Sequence, residues 1–143
     1  MTTDSAKGMI DFSSPWPVCE TVERIEAVLA AKKIKLFAHI DQSAEAAAAG
    51  LTLRPTVLLV FGDPGKGTPL MKSYPTLALD LPLKALIWEA KPGEVYLSVT
   101  SPEFLQKRHQ LPFAPFAEVV QLFAAIMDAG KPGDESRHSS SRS

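Results

Sequence analysis

The sequence lacks the cysteines, the excess of one charge and the long apolar segments that several classes of protein require. Its 143 residues include one cysteine, Cys19, which excludes an internal disulfide and a cysteine-rich metal site. Basic and acidic residues nearly balance, 15 against 16, so the formal net charge of -1 offers no general attraction to nucleic acid or to an anionic membrane. No segment approaches the roughly 20 apolar residues of a membrane-spanning helix. We therefore expect no nucleic-acid or membrane partner, and no metal or other cofactor.

The N-terminal sequence also lacks a secretory signal, because no basic start is followed there by an apolar run. Together with the isolated cysteine, this predicts a soluble protein with a cytoplasmic location. The length fits one domain with a buried core. We predict a flexible N-terminus at residues 1–8, a single domain at 9–130 and a disordered tail at 131–143, where GDESRHSSSRS offers no apolar face to bury.

Helical and strand patterns are interspersed along the domain. Apolar residues recur at helical spacing in 17–33 and 116–127, which predicts two core-facing helices. Strand patterns cover 34–40, 56–61, 84–89 and 94–100, with a weaker first strand at 9–12. The Pro92-Gly93 pair predicts a hairpin turn between the last two of these strands. The pattern indicates an α+β two-layer sandwich, with helices packed on one face of a four- to five-stranded mixed sheet.

Two of the strand patterns carry further detail. Residues 34–40 alternate, which predicts a half-buried strand with His39 pointing away from the apolar face. Residues 56–61 do not alternate, which predicts a strand that is covered on both faces or lies centrally in the sheet.

The stretch RPTVLLVFGDPGKGTPLM, residues 54–71, predicts a buried strand, a glycine-rich turn and a helix opened by Thr68 as N-cap and Pro69 as first helical residue. This layout suits an anion, because backbone N–H groups and the helix dipole both favour negative charge. Gly62 and Gly67 have the separation of the G-x-x-x-x-G-K-[ST] nucleotide pattern, but Thr68 stands where lysine is required. Nucleotide hydrolysis is therefore excluded. A weaker anion site that uses Lys66 with the N–H groups of Gly67 and Thr68 is one alternative, and a purely structural turn is the other.

Five segments follow one another in the order and spacing of a known family: ETVERIEAVLA, AHIDQSAEAAAAGL, RPTVLLVFGDPGKGTPLM, LDLPLKALIWE and PEFLQKRHQLP. On these segments, residues 21–112 resemble the family known as domain of unknown function 302. The resemblance implies a small two-layer α+β fold that tends to form a homodimer, and it implies no established activity. The chain has Asp63-Pro64 where the family commonly has Asn-Pro, and Lys66 lies one place later than the family's lysine.

Several polar side chains are candidates for chemistry. Asp63 and Asp80 would pair for acid–base work, or bind a metal, if their loops converge; the alternative is that each accepts backbone N–H bonds in a turn. His39 is either a catalytic base or an ordinary surface histidine, and Asp41 after it is better explained as a helix cap. The position of His109 at a helix end favours a cation, which needs no further role.

Two function classes remain. The first is a homodimeric binding module, or a fused accessory domain, that holds a small anionic ligand at the Gly62–Thr68 turn. The residues predicted for that site are Gly62, Asp63, Gly65, Lys66, Gly67, Thr68 and Asp80. The second is a small hydrolase or transferase using Asp63, Asp80, Lys66 or His39. No nucleophile–base pair is recognisable in the sequence, which favours the first class. The outward-facing aromatic residues Phe37, Trp88 and Tyr96 also favour a dimer, because exposing a large apolar patch to water is energetically unfavourable.

Overall fold

The computed structural model describes residues 2–4 and 7–131, which build one sheet with two long helices on one face. The strands are β1 (Thr2–Asp4), β2 (Met9–Ser14), β3 (Lys35–Asp41), β4 (Thr56–Gly62), β5 (Leu83–Lys91) and β6 (Glu94–Thr100). The helices are α1 (Val18–Ala31), α2 (Gln42–Ala48), α3 (Pro64–Ser73), α4 (Pro102–His109) and α5 (Ala117–Ala129), and a 3₁₀ helix covers Pro75–Asp80. Of the tail predicted to be disordered, residues 132–143 lie outside the described residues.

The strand order is β1-β2-β6-β5-β4-β3, and every pairing among these described strands is antiparallel. The α+β class is confirmed, whereas the prediction of a mixed sheet is wrong. Strands β2 to β6 supply the five predicted strands, and β1 adds a sixth from the N-terminal residues. The helix between β3 and β4 suggests a parallel crossover, but α2 has seven residues and a length of roughly 10 Å, against roughly 24 Å for a seven-residue strand. The connection of α2 and residues 49–55 instead joins β3 to its antiparallel neighbour β4.

The core lies between the sheet and the pair α1 and α5. Phe61 of β4 and Phe123 of α5 are both buried, and their rings meet edge-on with centroids 5.6 Å apart. Buried side chains alternate along β4, where Val57, Leu59 and Phe61 face the helices. Leu58 and Val60 on the opposite face are only half-buried, so β4 is not covered on both faces. The other predicted alternative holds, because β4 lies inside the sheet between β5 and β3.

The edge strand β3 is more exposed than the alternating sequence predicts. A register shift between Leu36 and Ala38 inserts an extra residue, and a shift of one residue exchanges the two faces of a strand. His39 consequently pairs across to Leu59, on the side of the sheet that carries the helices. The prediction that His39 points away from the apolar face is wrong because the bulge interrupts the alternation.

Helix α3 begins five residues earlier than predicted. Asp63 is its N-cap and Pro64 its first residue, while Pro69 lies inside the helix. The sequence contains the same cap-and-proline signal twice, as Asp63-Pro64 and Thr68-Pro69, and the first pair starts the helix. The glycine-rich segment is therefore the first helical turn and not a loop.

Candidate functional site

A cavity of about 1030 Å³ opens where β4 ends and α3 begins. Its walls come from the end of α1, the start of β3, the first turns of α3, residues 81–83 and the N-terminal half of α5. The segment Gly62–Thr68, which was predicted to carry the site, contributes residues to this cavity.

The wall of this cavity is mostly apolar. Many of the lining side chains are only partly buried although they are large and hydrophobic, and among them are Ile34, Phe37, Met71, Phe116, Val119 and Leu122. Phe37 is 44% exposed, a large fraction for an aromatic side chain. Because exposed apolar area is unfavourable in water, this wall gains free energy when a ligand or partner covers it.

The N-terminus of α3 does not offer the open backbone donors that the sequence predicts. The N–H of Gly65 donates to Oδ1 of Asp63 at 2.9 Å. The N–H groups of Lys66 and Gly67 donate to the Asp63 carbonyl oxygen at 3.0 and 2.8 Å. Asp63 itself is thus the acceptor for the donors that were expected to hold an anion.

Charged side chains border the cavity in equal number. Lys32 from the end of α1 and Lys66 from α3 bring two positive charges, while Asp63 and Glu118 bring two negative ones. Within the described residues neither lysine has an ion-pair partner, whereas Asp63 is engaged in capping α3. Among the described residues Glu118 has no ion-pair partner either, so the unpaired charges at the cavity are two positive and one negative.

The residues predicted for the anion site divide between different places. Gly62, Asp63, Lys66, Gly67 and Thr68 line the cavity. Gly65 is exposed and is not among the lining residues. Asp80 lines a separate cavity of about 60 Å³ beside α4 and α5.

Asp80 instead contacts residues that sequence reasoning did not connect with it. Its Oδ2 lies 2.5 Å from Nε2 of His109 and 3.5 Å from Nε of Arg108, both in the last turn of α4. The other ring nitrogen of His109, Nδ1, lies 2.9 Å from the Thr76 hydroxyl. The sequence signal for this cluster is the four-residue spacing of Thr76 and Asp80. Nothing local indicates that α4 meets them.

The four side chains predicted for a hydrolase or transferase are not brought together. Asp63 and Lys66 are at the large cavity, and Asp80 is at the 3₁₀ helix. His39 Nδ1 contacts Glu26 of α1 at 2.6 Å, where His39 is exposed and Glu26 is half-buried. Across residues 2–4 and 7–131, no group of three or more histidine, cysteine and carboxylate side chains is arranged to hold a metal ion.

Comparison with known proteins finds the family model "Domain of unknown function DUF302" over residues 10–130. The chain is 42% identical over 104 residues to "Fluoride-specific ion channel FluC 1" of Brucella suis biovar 1 (strain 1330) and to "Fluoride-specific ion channel FluC 2" of Brucella melitensis biotype 1. The match covers 73% of this chain but 41% and 38% of those relatives, so the chain spans about two fifths of their length. In the described ranges no helix is both long and apolar enough to cross a membrane.

A solved structure has the same fold. The crystal structure of an uncharacterized conserved DUF302 protein from Bacillus stearothermophilus superimposes with a TM-score of 0.74 at 19% sequence identity. The superposition covers 88% of this chain and 100% of that one. The family model spans the fold from Ile10 in β2 through α5. The chain therefore belongs to the family of the domain of unknown function DUF302.

Proposed function

We propose that the chain is a binding module whose cavity at the end of β4 holds a small molecule with an apolar body and one anionic group. The observation that carries this proposal is the cavity itself. Its volume of about 1030 Å³ is at the upper end of what ligand sites in proteins typically enclose, roughly 300 to 1,000 Å³. Its wall is apolar and half-exposed, so an apolar body gains about 0.8 kcal/mol for each CH₂ that it buries there.

The anionic group of the ligand is assigned to Lys32 and Lys66. These side chains border the cavity from two different elements, α1 and α3, and the acidic residue closest to Lys66 in sequence, Asp63, already accepts backbone N–H bonds. An ammonium group attracts a carboxylate, sulfonate or phosphate as a point charge, without a fixed geometry. The predicted anion site is retained in this form, with lysine side chains in place of backbone donors.

A fluorescent probe with the same chemistry, 8-anilinonaphthalene-1-sulfonate, tests the proposal. We expect saturable binding of one probe per chain. Val119→Trp, which fills the cavity from α5, should weaken binding about tenfold, a loss of about 1.4 kcal/mol. Lys66→Ala should weaken it about threefold, as for a partly exposed ion pair. Lys84→Ala is the matched control, because that exposed lysine lies on β5 and does not line the cavity.

The uncharged probe N-phenyl-1-naphthylamine tests the apolar cavity separately from the lysine site for the anionic group. It should respond to Val119→Trp and not to Lys66→Ala. Binding of both probes that is indifferent to Val119→Trp contradicts the cavity as the site. Binding that responds to Val119→Trp, with no difference between the charged and uncharged probes in Lys66→Ala, contradicts only the anionic group.

We also infer that the module is a homodimer, with the sheet face opposite α1 and α5 as the contact. That face carries half-buried apolar side chains on three neighbouring strands, namely Leu58, Val60, Leu86, Trp88 and Tyr96. Light scattering should give twice the 15.5 kDa chain mass, and Leu86→Arg should reduce it to one chain. Glu45→Arg, on the exposed α2, is the control. A single-chain mass for the unaltered protein over the micromolar range would refute the dimer.

The relatives support a second candidate function, that of an accessory domain to a fluoride-specific ion channel. The supporting observation is the 42% identity over 104 residues to part of such proteins. The test is a chimaera of the Brucella suis relative in which the matched region is deleted or replaced by that of this chain. We expect deletion to alter fluoride efflux from proteoliposomes and the replacement to restore it. Efflux that deletion leaves unchanged contradicts an accessory role.

A further inference from the structure

We propose that Thr76 is a nucleophile activated by His109, and that together with Asp80 it forms a site for the hydrolysis of small activated carboxylic esters. The geometry is a chain of two hydrogen bonds. The Thr76 hydroxyl lies 2.9 Å from Nδ1 of His109, and Nε2 of the same ring lies 2.5 Å from Oδ2 of Asp80. A hydroxyl group is hydrogen-bonded to a base, and the base is hydrogen-bonded to a carboxylate. This arrangement activates serine and threonine nucleophiles.

For a neutral imidazole the partners define the direction of both bonds. An ionised carboxylate accepts hydrogen bonds and donates none, so the contact with Asp80 requires the proton on Nε2 of His109. In the neutral ring Nδ1 is then an acceptor, and the Thr76 hydroxyl donates to it. The lone pair that would remove the hydroxyl proton is therefore already directed at it.

Exposure differs among the three side chains as catalysis requires. The imidazole of His109 is 3% exposed, so its ring is fixed by the protein groups around it. Thr76 is exposed, so its hydroxyl oxygen can be reached by a substrate. Asp80 is 22% exposed and is also held by Arg108, whose Nε lies 3.5 Å from the oxygen that contacts His109. Asp80 thus acts through His109 and is a positioning residue.

Two aromatic side chains that are close in sequence to this cluster indicate the class of substrate. Tyr74 lies two residues before Thr76, and its ring meets Phe113 edge-on with centroids 6.3 Å apart. Phe113 is 40% exposed, although it is a large apolar side chain. An ester with a short acyl chain and an aryl alcohol offers an apolar group to this pair.

The reaction balances with water as the second reactant. The Thr76 oxygen forms a bond to the ester carbonyl carbon while its proton passes to Nδ1 of His109. The bond from that carbon to the alcohol oxygen breaks, and the departing alcohol takes the proton from Nδ1. Water then attacks the acyl-threonine with His109 again as base, which releases the carboxylic acid and restores the hydroxyl.

Hydrolysis of p-nitrophenyl acetate and labelling by a fluorophosphonate probe test the proposal. We expect Thr76→Ala and His109→Gln each to lower kcat/KM by roughly 100-fold, within the usual range for a general base. Thr76→Ser should retain activity, and Asp80→Asn should lower kcat with little change in KM. Thr52→Ala is the control, since it removes an exposed threonine hydroxyl from the loop before β4. The probe should add its mass to the peptide that carries Thr76.

Two results would overturn the proposal. One is a kcat/KM for Thr76→Ala that equals that of the unaltered protein while Thr76→Ser is also unchanged. The other is a probe adduct on any residue but Thr76, or none at all in a protein whose circular dichroism is that of the folded chain. Because Thr76 is exposed, its substitution by serine or alanine leaves the core intact, and loss of fold does not confuse either result.

Discussion

The indole ring of Trp16 occupies the space that a side chain on Gly130 would need. A Cβ built on Gly130 would lie 2.7 Å from Cε2 and 2.8 Å from Cη2 of that ring. The guanidinium carbon of Arg24 lies 4.2 Å from the centroid of the Trp16 ring. The segment before α1 is thereby packed against the end of α5, and this contact joins the two helices that cover the sheet.

Gly130→Ala should therefore destabilise the protein by about 1–3 kcal/mol, the usual cost of overpacking. Backbone strain is not the reason, because Gly130 has a φ of -95° that any residue adopts. Chemical denaturation followed by tryptophan fluorescence measures the free energy of unfolding, and a Trp88→Phe background makes Trp16 the single fluorescent tryptophan. A variant as stable as the parent, with unchanged fluorescence, would show that Trp16 does not lie against Gly130.

Substitution of Gly67 should have the opposite effect. Gly67 lies inside α3 with a right-handed backbone, and an added Cβ would meet Leu81 at 3.7 Å and Met71 at 3.9 Å, which are ordinary contacts. Gly67→Ala should stabilise the protein by about 0.5–1 kcal/mol, because alanine loses less backbone entropy in a helix. The comparison is Gly65→Ala, whose Cβ would lie 3.2 Å from the Asp63 oxygen that caps α3. If the melting temperature rises equally in both variants, a side chain at position 65 does not crowd the Asp63 cap of α3.

Much of this fold was predictable because its signals are local. The apolar stripes of α1 and α5, the hairpin at Pro92-Gly93 and the Asp41 cap each depend on residues within a few positions of one another. The Asp41 side chain does accept the N–H of Ala44, as a cap should. Local patterns of this kind predict the folded structure correctly unless a contact between distant residues overrides them.

The parts that were not predictable depend on distant contacts or on a choice between equal signals. The bulge in β3 follows from pairing with β4 and changes the face on which His39 lies. The cavity exists because α3, α5 and the start of β3 border one space, and no window of sequence contains all three. The contact of Asp80 with His109 joins residues 29 positions apart. The start of α3 was a choice between Asp63-Pro64 and Thr68-Pro69, which propensity alone does not decide.

Truncation of Phe123 measures how much α5 contributes to the core. Phe123 is 0% exposed and meets Phe61 edge-on, so Phe123→Ala should cost about 3–5 kcal/mol from lost transfer energy and the cavity left behind. Phe113→Ala, at a ring 40% exposed, is the matched control and should cost about 1 kcal/mol. Equal unfolding free energies for the two variants would remove α5 from the core.

The carboxyl group of Asp41 provides a pH-dependent contribution at the start of α2. Its pKa is lowered from the ordinary value of 3.8, first because the Ser43 hydroxyl donates to it at 2.6 Å and next because the Ala44 N–H donates at 2.9 Å. A carboxyl whose folded pKa is depressed stabilises the fold above its unfolded pKa, and the contribution is lost as pH falls through the folded value. The cap should therefore persist at pH 3.8 and disappear below it.

Carbon-13 titration of the Asp41 carboxyl should give a midpoint below 3.8, and the amide signal of Ala44 should move with the same midpoint because the two atoms share a hydrogen bond. Ser43→Ala should raise the midpoint toward 3.8, since it removes the largest cause of the shift. Ser73→Ala, at an exposed serine at the end of α3, should leave it unchanged. The Ser43 hydroxyl also accepts the N–H of Thr56 at 3.3 Å, so a stability loss in Ser43→Ala has two sources. The titration isolates the one at Asp41, and a midpoint that Ser43→Ala does not move would show that the hydroxyl is not bonded to the carboxylate in solution.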